Sequence, residues 1–157
     1  MKNNKKMNNK GFSLVELIIV IAIMAVLVGV LAPAYLRYVE KSRKSADIQA
    51  IDSIMTAMEV TAMAPEFKMK ADDTMTATVT NSKLELTSSV SAATTELQAV
   101  IGEYTTRSAE FTSFILTGTV GTDGDVVFTL EGNSAAAILK YSDFEGRFGA
   151  DEEKKDE

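Results

Sequence analysis

A membrane-length apolar run near the N-terminus constrains this chain more than any other feature. From Phe12 to Ala34 only Ser13, Glu16, Gly29 and Pro33 interrupt the apolar character. As a helix, these residues would extend about 34 Å, which is enough to cross a hydrocarbon core of about 30 Å. The run is therefore either a membrane-spanning segment or the core of a secretory signal. A carboxylate inside such a run costs about 2.5–3.5 kcal/mol on insertion scales, so Glu16 is a functional candidate.

Composition narrows the functional classes. The chain contains no cysteine and no histidine, which excludes disulfides, thiolate nucleophiles and the commonest general base and metal ligand. Residues 1–11 carry four lysines and no acid, whereas the whole chain has a net charge of −6. A basic leader before an apolar run fits the positive-inside orientation, and the acidic remainder is a poor binder of nucleic acid. We predict no cofactor, no metal, no nucleic-acid partner and no enzymatic activity.

The helical pattern continues beyond the apolar run. Two adjoining apolar lines recur at spacings of three and four: Ile48, Ile51, Met55, Met58 and Ala62, and beside them Ala46, Ala50, Ile54 and Ala57. No glycine or proline interrupts residues 34–64, so one helix is predicted to continue up to Pro65. The two lines indicate either one broad stripe facing the chain's own sheet, or one line for the sheet and one for other subunits.

After Pro65 the pattern changes to that of a β-rich head. Period-two and β-branched runs predict strands at Thr74–Thr80, Lys83–Thr87, Phe111–Val120 and Val126–Leu130. Gly121–Gly124 is the predicted hairpin turn between the last two, and a short helix is predicted near residues 89–105. Ala135–Tyr141 is predicted as a third strand of this meander. The fold class is therefore α+β, with a long N-terminal helix packed on an antiparallel sheet.

Two smaller groups of residues have ordinary structural interpretations. Asp72–Asp73 and Asp123–Asp125 are tight acidic pairs, but the oxygen-ligand spacing of a calcium loop is absent and turn formation is the better interpretation. Tyr35 and Tyr38, with Arg37 between them, lie where interfacial anchors of a membrane segment occur.

Three interpretations of the opening segment remain. Ala32–Ala34 resembles a signal-peptidase site, and a plain single-pass anchor is also possible. The length of the run and the acid at Glu16 argue against an ordinary signal. In the third interpretation the chain is cut between Gly11 and Phe12, so that Glu16 lies one helical turn from a new amine. In a bundle of staggered parallel helices, each Glu16 carboxylate would then pair with the Phe12 amine of a neighbour and set the register.

The stretch Lys10–Leu17, read as Lys-Gly-Phe-Ser-Leu-Val-Glu-Leu, resembles the prepilin signature of type IV pilins. The resemblance implies cleavage after Gly11 by a membrane aspartyl peptidase, N-methylation of Phe12, and assembly through Glu16. Pro33 falls where pilins carry a helix-bending proline, and Gly29 is a second candidate bend. Many Gram-negative pilins close a C-terminal loop with a disulfide, so the absence of cysteine favours a Gram-positive source.

The predicted organisation follows the family pattern. It comprises a leader at 1–11, a long helix at 12–64 with its transmembrane part at 12–34, a head at 65–148 and a charged, flexible tail at 149–157. The expected function is that of a major pilin, stored as a single-pass precursor in the cytoplasmic membrane and polymerised by the pilus assembly machinery into a helical homopolymer outside the cell. A minor pilin, or a pseudopilin of a DNA-uptake or type II secretion apparatus, is the alternative. A membrane-tethered binding or enzymatic domain is a third. Motility, adhesion and aggregation remain open as roles of such a filament.

Overall fold

The computed structural model describes residues 11–141 of the chain. The predictions for residues 1–10 of the leader and for the tail at 149–157 lie outside these residues. The described elements, in chain order, are α1 (Leu14–Met63), β1 (Thr74–Thr80), β2 (Leu84–Ser88), α2 (Ser91–Ile101), β3 (Ser113–Val120), β4 (Val126–Glu131) and α3 (Ala135–Tyr141). Backbone contacts divide the chain into two compact units, Met1–Val39 and Glu40–Glu157.

The first unit contains the apolar part of α1. Among the described residues, one helix, α1, has the length and the apolar character needed to cross a membrane. None of the residues in its most apolar 18-residue stretch is buried by the described part of the chain. Side chains such as Leu17, Ile21 and Leu27 are each more than half exposed. Burial of these side chains therefore requires something other than the described residues, because exposed apolar area of this extent is unfavourable in water.

The second unit is built around a four-stranded antiparallel sheet with the order β2-β1-β3-β4. Four of the five strands predicted for this region are present in this sheet, and the turn at Gly121–Gly124 joins β3 to β4 as expected. Gly124 has a φ of 84°, a conformation that glycine adopts without strain.

Alternation along the strands separates a core face from a hydroxyl-rich face. On the second face the register places four threonines in one row across all four strands: Thr87, Thr76, Thr117 and Thr129. The hydroxyls of the two central ones, Thr76 and Thr117, lie 3.5 Å apart. The period-two pattern in the sequence therefore predicted correctly which residues share a face.

The C-terminal part of α1 packs on the core face of the sheet. Ile51, Met55 and Met58 are fully buried and belong to one cluster with Met75, Leu116 and other residues of the sheet. Both apolar lines of this helix contribute to that cluster, because Ile54 and Ala57 of the second line are also buried there. The interpretation as one broad stripe facing the chain's own sheet accounts for these residues.

The prediction of a strand at Ala135–Tyr141 is wrong, because these residues form α3. The prediction assumed that β3 and β4 need a further partner, but β3 pairs with β1 on its other side. Gly132 has a φ of 103° and turns the chain out of β4, after which the amide of Ile138 donates to the carbonyl of Ser134 at 2.9 Å. An alanine-rich segment of this kind forms a helix when no sheet position requires it.

Candidate functional site

The predicted processing point lies just before α1. Gly11–Ser13 are not part of the helix, and all three residues are exposed. The Phe12 side chain is 93% exposed, and a Cβ added at Gly11 would have nothing within 4 Å. The peptide bond between Gly11 and Phe12 is therefore free of steric cover from the described part of the chain, as a bond that a peptidase must grip requires.

Glu16 takes part in a capping box at the start of α1. Its Oε2 accepts a hydrogen bond from the backbone N–H of Ser13 at 2.9 Å, and the Ser13 hydroxyl accepts one from the N–H of Val15 at 3.3 Å. A capping box satisfies backbone donors that have no partner inside the helix, and a carboxylate in the first turn also interacts favourably with the helix dipole. Sequence reasoning missed this role, although the pattern Ser-x-x-Glu before an apolar run signals it.

The capping box leaves acceptor capacity on Glu16. An ionised carboxylate offers about four lone-pair sites, and the Ser13 amide occupies one of them. The side chain is exposed and is surrounded along α1 by apolar residues such as Leu17 and Val20. This arrangement can accept a charged donor such as an amine from a second molecule without giving up the local bond.

Gly29 and Pro33, the two predicted bend positions, lie inside α1, which continues through both. Proline has no backbone N–H, so the carbonyl of Gly29 has no helical donor at position 33. The Arg37 Nε donates to the carbonyl of Pro33 at 3.4 Å. A bend at these positions stays a prediction.

A second carboxylate on α1, Asp47, is fully buried in the head. It accepts hydrogen bonds from the Tyr104 hydroxyl at 2.7 Å, from the amide of Arg107 at 3.0 and 3.1 Å, and from the amide of Ser108 at 2.8 Å. Charge-assisted bonds of this kind are about twice as strong as neutral ones. Asp47 therefore fixes the segment between α2 and β3 against α1.

Glu40 holds the same segment two turns earlier on α1. Its Oε1 accepts from the Ser108 hydroxyl at 2.5 Å and from the amide of Ala109 at 2.8 Å, and nearby Lys44 pairs with Glu110. The bond from Ser108, aided by backbone amides and Lys44, lowers the pKa of Glu40. We call the contacts of Glu40, Lys44 and Asp47 with residues 104–110 the head clamp.

The head clamp is a structural device rather than a reactive one. Burial, followed by the hydrogen bond to Asp47, raises the pKa of Tyr104, so its phenol stays protonated and is unsuited to act as a base. Sequence analysis did not single out Glu40 or Asp47 and missed the clamp. The spacing of two acids at i and i+7 was the one available signal, and acids at this spacing are also common on helix faces that only meet solvent.

The acidic pairs behave as turn formers where the structure gives their contacts. The Asp73 carboxylate accepts from the amide of Lys70 at 2.7 Å and from the Ser89 hydroxyl at 2.8 Å, and these two bonds lower its pKa. Within residues 11–141, no group of three or more acidic side chains has the geometry to hold a metal ion.

The comparisons with known proteins bear on the start of the chain. A family model described as the prokaryotic N-terminal methylation motif matches residues 6–32. No curated protein and no solved structure matches the chain significantly. The matched range contains the exposed Gly11–Phe12 bond, the capping-box residue Glu16 and most of the apolar run. This combination fits a membrane-anchored precursor. The chain therefore carries, at residues 6–32, the N-terminal signal of type IV pilin-like prepilins.

Proposed function

We propose that the protein is a structural pilin subunit that is cut after Gly11, N-methylated on Phe12 and polymerised into an extracellular filament. The observation that carries the proposal is the position of Glu16, one helical turn beyond an exposed Gly-Phe bond inside the matched methylation motif. The prepilin peptidase, the assembly machinery and the membrane that stores the precursor are the expected partners, and no catalytic role is proposed.

Burial explains why such a subunit would polymerise. The described residues provide no cover for the apolar part of α1, and a bundle of parallel copies would provide it. Once Phe12 is the N-terminus, its amine is a cation that can pair with Glu16 of the next copy in a bundle staggered by about one turn. A buried pair of this kind is strongly destabilised, by about 3–5 kcal/mol, when one partner is removed. Glu16 would therefore select the register of assembly.

The test is Glu16→Ala in the cells that produce the protein, with Glu59→Ala on the head as the matched acid-to-alanine control. We expect the Glu16 variant to be processed and stored in the membrane but to yield no sheared filaments, while the control assembles. Mass spectrometry of the mature N-terminus checks the processing step, where a methylated Phe12 is expected. Normal filament yield from the Glu16 variant would contradict the register argument, and a chain beginning at Tyr35 would indicate signal peptidase.

The same signal would serve a minor pilin or a pseudopilin of a DNA-uptake or secretion apparatus. The two candidates differ in abundance, because a major subunit makes up most of the mass of a filament. Quantifying the protein in sheared filaments therefore separates them. The Thr-rich sheet face and the modest head favour the major subunit, which is the function we propose.

A further inference from the structure

The head carries an apolar groove between α1 and α2. A hollow of about 400 Å³ is lined by residues of both helices and of the turn after α1, and a second hollow of about 270 Å³ shares Ser53, Ala57 and Val100 with it. Val60 and Val100 are 64% and 61% exposed in this groove, far more than apolar residues of the core. The two hollows form one continuous surface, which we call the α1–α2 groove.

The rim of the groove is acidic. Glu66 and Glu96 line the larger hollow and Glu103 lines the smaller one, and all three are exposed. Among the described residues that line the two hollows there is no lysine or arginine. An apolar floor with a one-sign rim selects a partner that has apolar side chains flanked by cations.

The chain itself contains a segment with that chemistry. Between Tyr35 and Arg43 there are three cations, Arg37, Lys41 and Arg43, against the single acid Glu40, whereas the chain as a whole has a net charge of −6. The segment also exposes aromatic side chains, with Tyr35 66% and Tyr38 73% exposed. We call Tyr35–Arg43 the basic aromatic segment.

The positive-inside rule does not account for this segment. The basic leader indicates that residues 1–11 stay in the cytoplasm, so the basic aromatic segment emerges on the opposite side of the membrane, where the rule gives no reason for cations. Anionic lipid headgroups would neutralise its cations but would leave the acidic α1–α2 groove unfilled. A second copy of the chain satisfies both surfaces.

We propose that the basic aromatic segment of one copy docks in the α1–α2 groove of a second copy, with Tyr38 against Val60 and Val100 and with Arg37 and Lys41 facing the acidic rim. The proposal rests on the polymerisation proposed above. Each copy carries both halves of this contact, formed by different residues, so the contact is heterologous. Such an interface does not close on itself in a dimer and instead propagates into a ring or an open filament.

Crosslinking tests the contact directly, because the chain has no native cysteine. The full-length double variant Tyr38→Cys/Val100→Cys is treated with a short bismaleimide on intact filaments. The matched control is Tyr38→Cys/Thr129→Cys, whose second position lies on the hydroxyl-rich face of the sheet. We expect a ladder of dimers, trimers and larger species from the first variant and not from the control. The proposal would be overturned if both cysteine variants formed filaments like those of the wild type and the first variant gave no ladder, or a ladder no stronger than that of the control.

Charge exchange provides the second measurement. Arg37→Glu/Lys41→Glu is expected to abolish filament recovery, and combination with Glu96→Lys/Glu103→Lys is expected to restore it, because each set reverses one side of the contact. All four positions are exposed, and unchanged thermal unfolding of the head verifies that each variant folds. If instead the Arg37→Glu/Lys41→Glu variant forms filaments normally and only loses binding to phosphatidylglycerol vesicles, the segment binds lipid and the proposal is wrong. Failure of the wild-type chain to form filaments would count against the proposed function itself.

Discussion

Glu16 and Asp47 are carboxylates on the same helix, yet their surroundings differ in almost every respect. Asp47 is fully buried and accepts bonds from three groups of its own chain, two of them backbone amides some sixty positions away. Glu16 is exposed and accepts one bond from a residue three positions away. The head therefore supplies the hydrogen-bond donors of its carboxylate from its own residues. The carboxylate in the apolar part of α1 keeps most of its hydrogen-bond acceptor sites for another molecule.

The same contrast holds for apolar side chains. In the head, Ile51 and Met58 lie in a core closed by the sheet, while Leu17 and Leu27 of the apolar part of α1 are not covered by any part of the chain that the structure describes. The two parts of α1 thus differ in what they pack against: the C-terminal part packs on the sheet of the head, and the apolar part is exposed for contact with a membrane or with other copies. Removing the apolar part of α1, or changing one carboxylate at a time, measures whether membrane association and the stability of the head depend on each other.

The largest expected effect is on partitioning. The chain shortened to residues 40–157 keeps the unit that contains the whole described core, so we expect it to fold and to remain in the soluble fraction. The full chain should sediment entirely with membranes, because residues 11–141 provide no cover for the apolar part of α1 and a membrane does. Cell fractionation with circular dichroism of the shortened chain checks this. A shortened chain without cooperative unfolding would show that the head depends on the apolar segment.

A smaller effect separates the two carboxylates. We expect Asp47→Ala to lower the free energy of unfolding of the head by about 3 kcal/mol, because each buried donor left unsatisfied costs about 1–3 kcal/mol. Glu16→Ala, as a surface change outside the head, should alter head stability by less than about 0.5 kcal/mol. Urea unfolding of both full-length variants in detergent provides the comparison, and Asp47→Asn controls for side-chain volume. Equal effects of the two alanine variants would contradict the contrast between the carboxylates.

The smallest expected effect is on the pH dependence of the head clamp. The pKa of Glu40 is lowered by folding from its ordinary value of 4.5, so the folded head favours the ionised form. Its contribution to stability is therefore present above about pH 4.5 and is lost as pH falls through the lower pKa of the folded state. The stability of wild type should fall more between about pH 5 and pH 3 than that of Glu40→Gln, by less than about 1 kcal/mol, as thermal unfolding measures. Parallel pH profiles of the two proteins would rule out this contribution.

Local patterns predicted most of the secondary structure. The spacing of Ile51, Met55 and Met58 predicted the core-facing side of α1, and alternation in Thr74–Thr80 predicted β1 with the bounds that the structure has. These features depend on short-range periodicity, which is written in the sequence itself. The error at Ala135–Tyr141 arose because the number of strands depends on which strands become neighbours, and this is a property of the whole sheet.

The candidate site divides in the same way. Gly11, Phe12 and Glu16 follow from a contiguous motif, and the capping role of Ser13 was equally readable from four adjacent residues. The head clamp was not, because the bond from Tyr104 to Asp47 joins residues 57 positions apart and depends on the path of the intervening segment. A buried aspartate has no distinguishing local signal when its donors are mostly backbone amides.

The capping box has a consequence for the reversibility of the filament we propose. Because the Ser13 amide already donates to Glu16 in the isolated subunit, transfer into a filament adds a second bond to this carboxylate rather than creating the first one. The free energy gained per subunit is the difference between these two states, and the bond from the Ser13 amide, which is present in both, does not contribute to it. When a subunit leaves the filament, its carboxylate returns to the membrane with its amide partner in place. The same chain can then be stored and used again, so the pool of subunits would be recyclable.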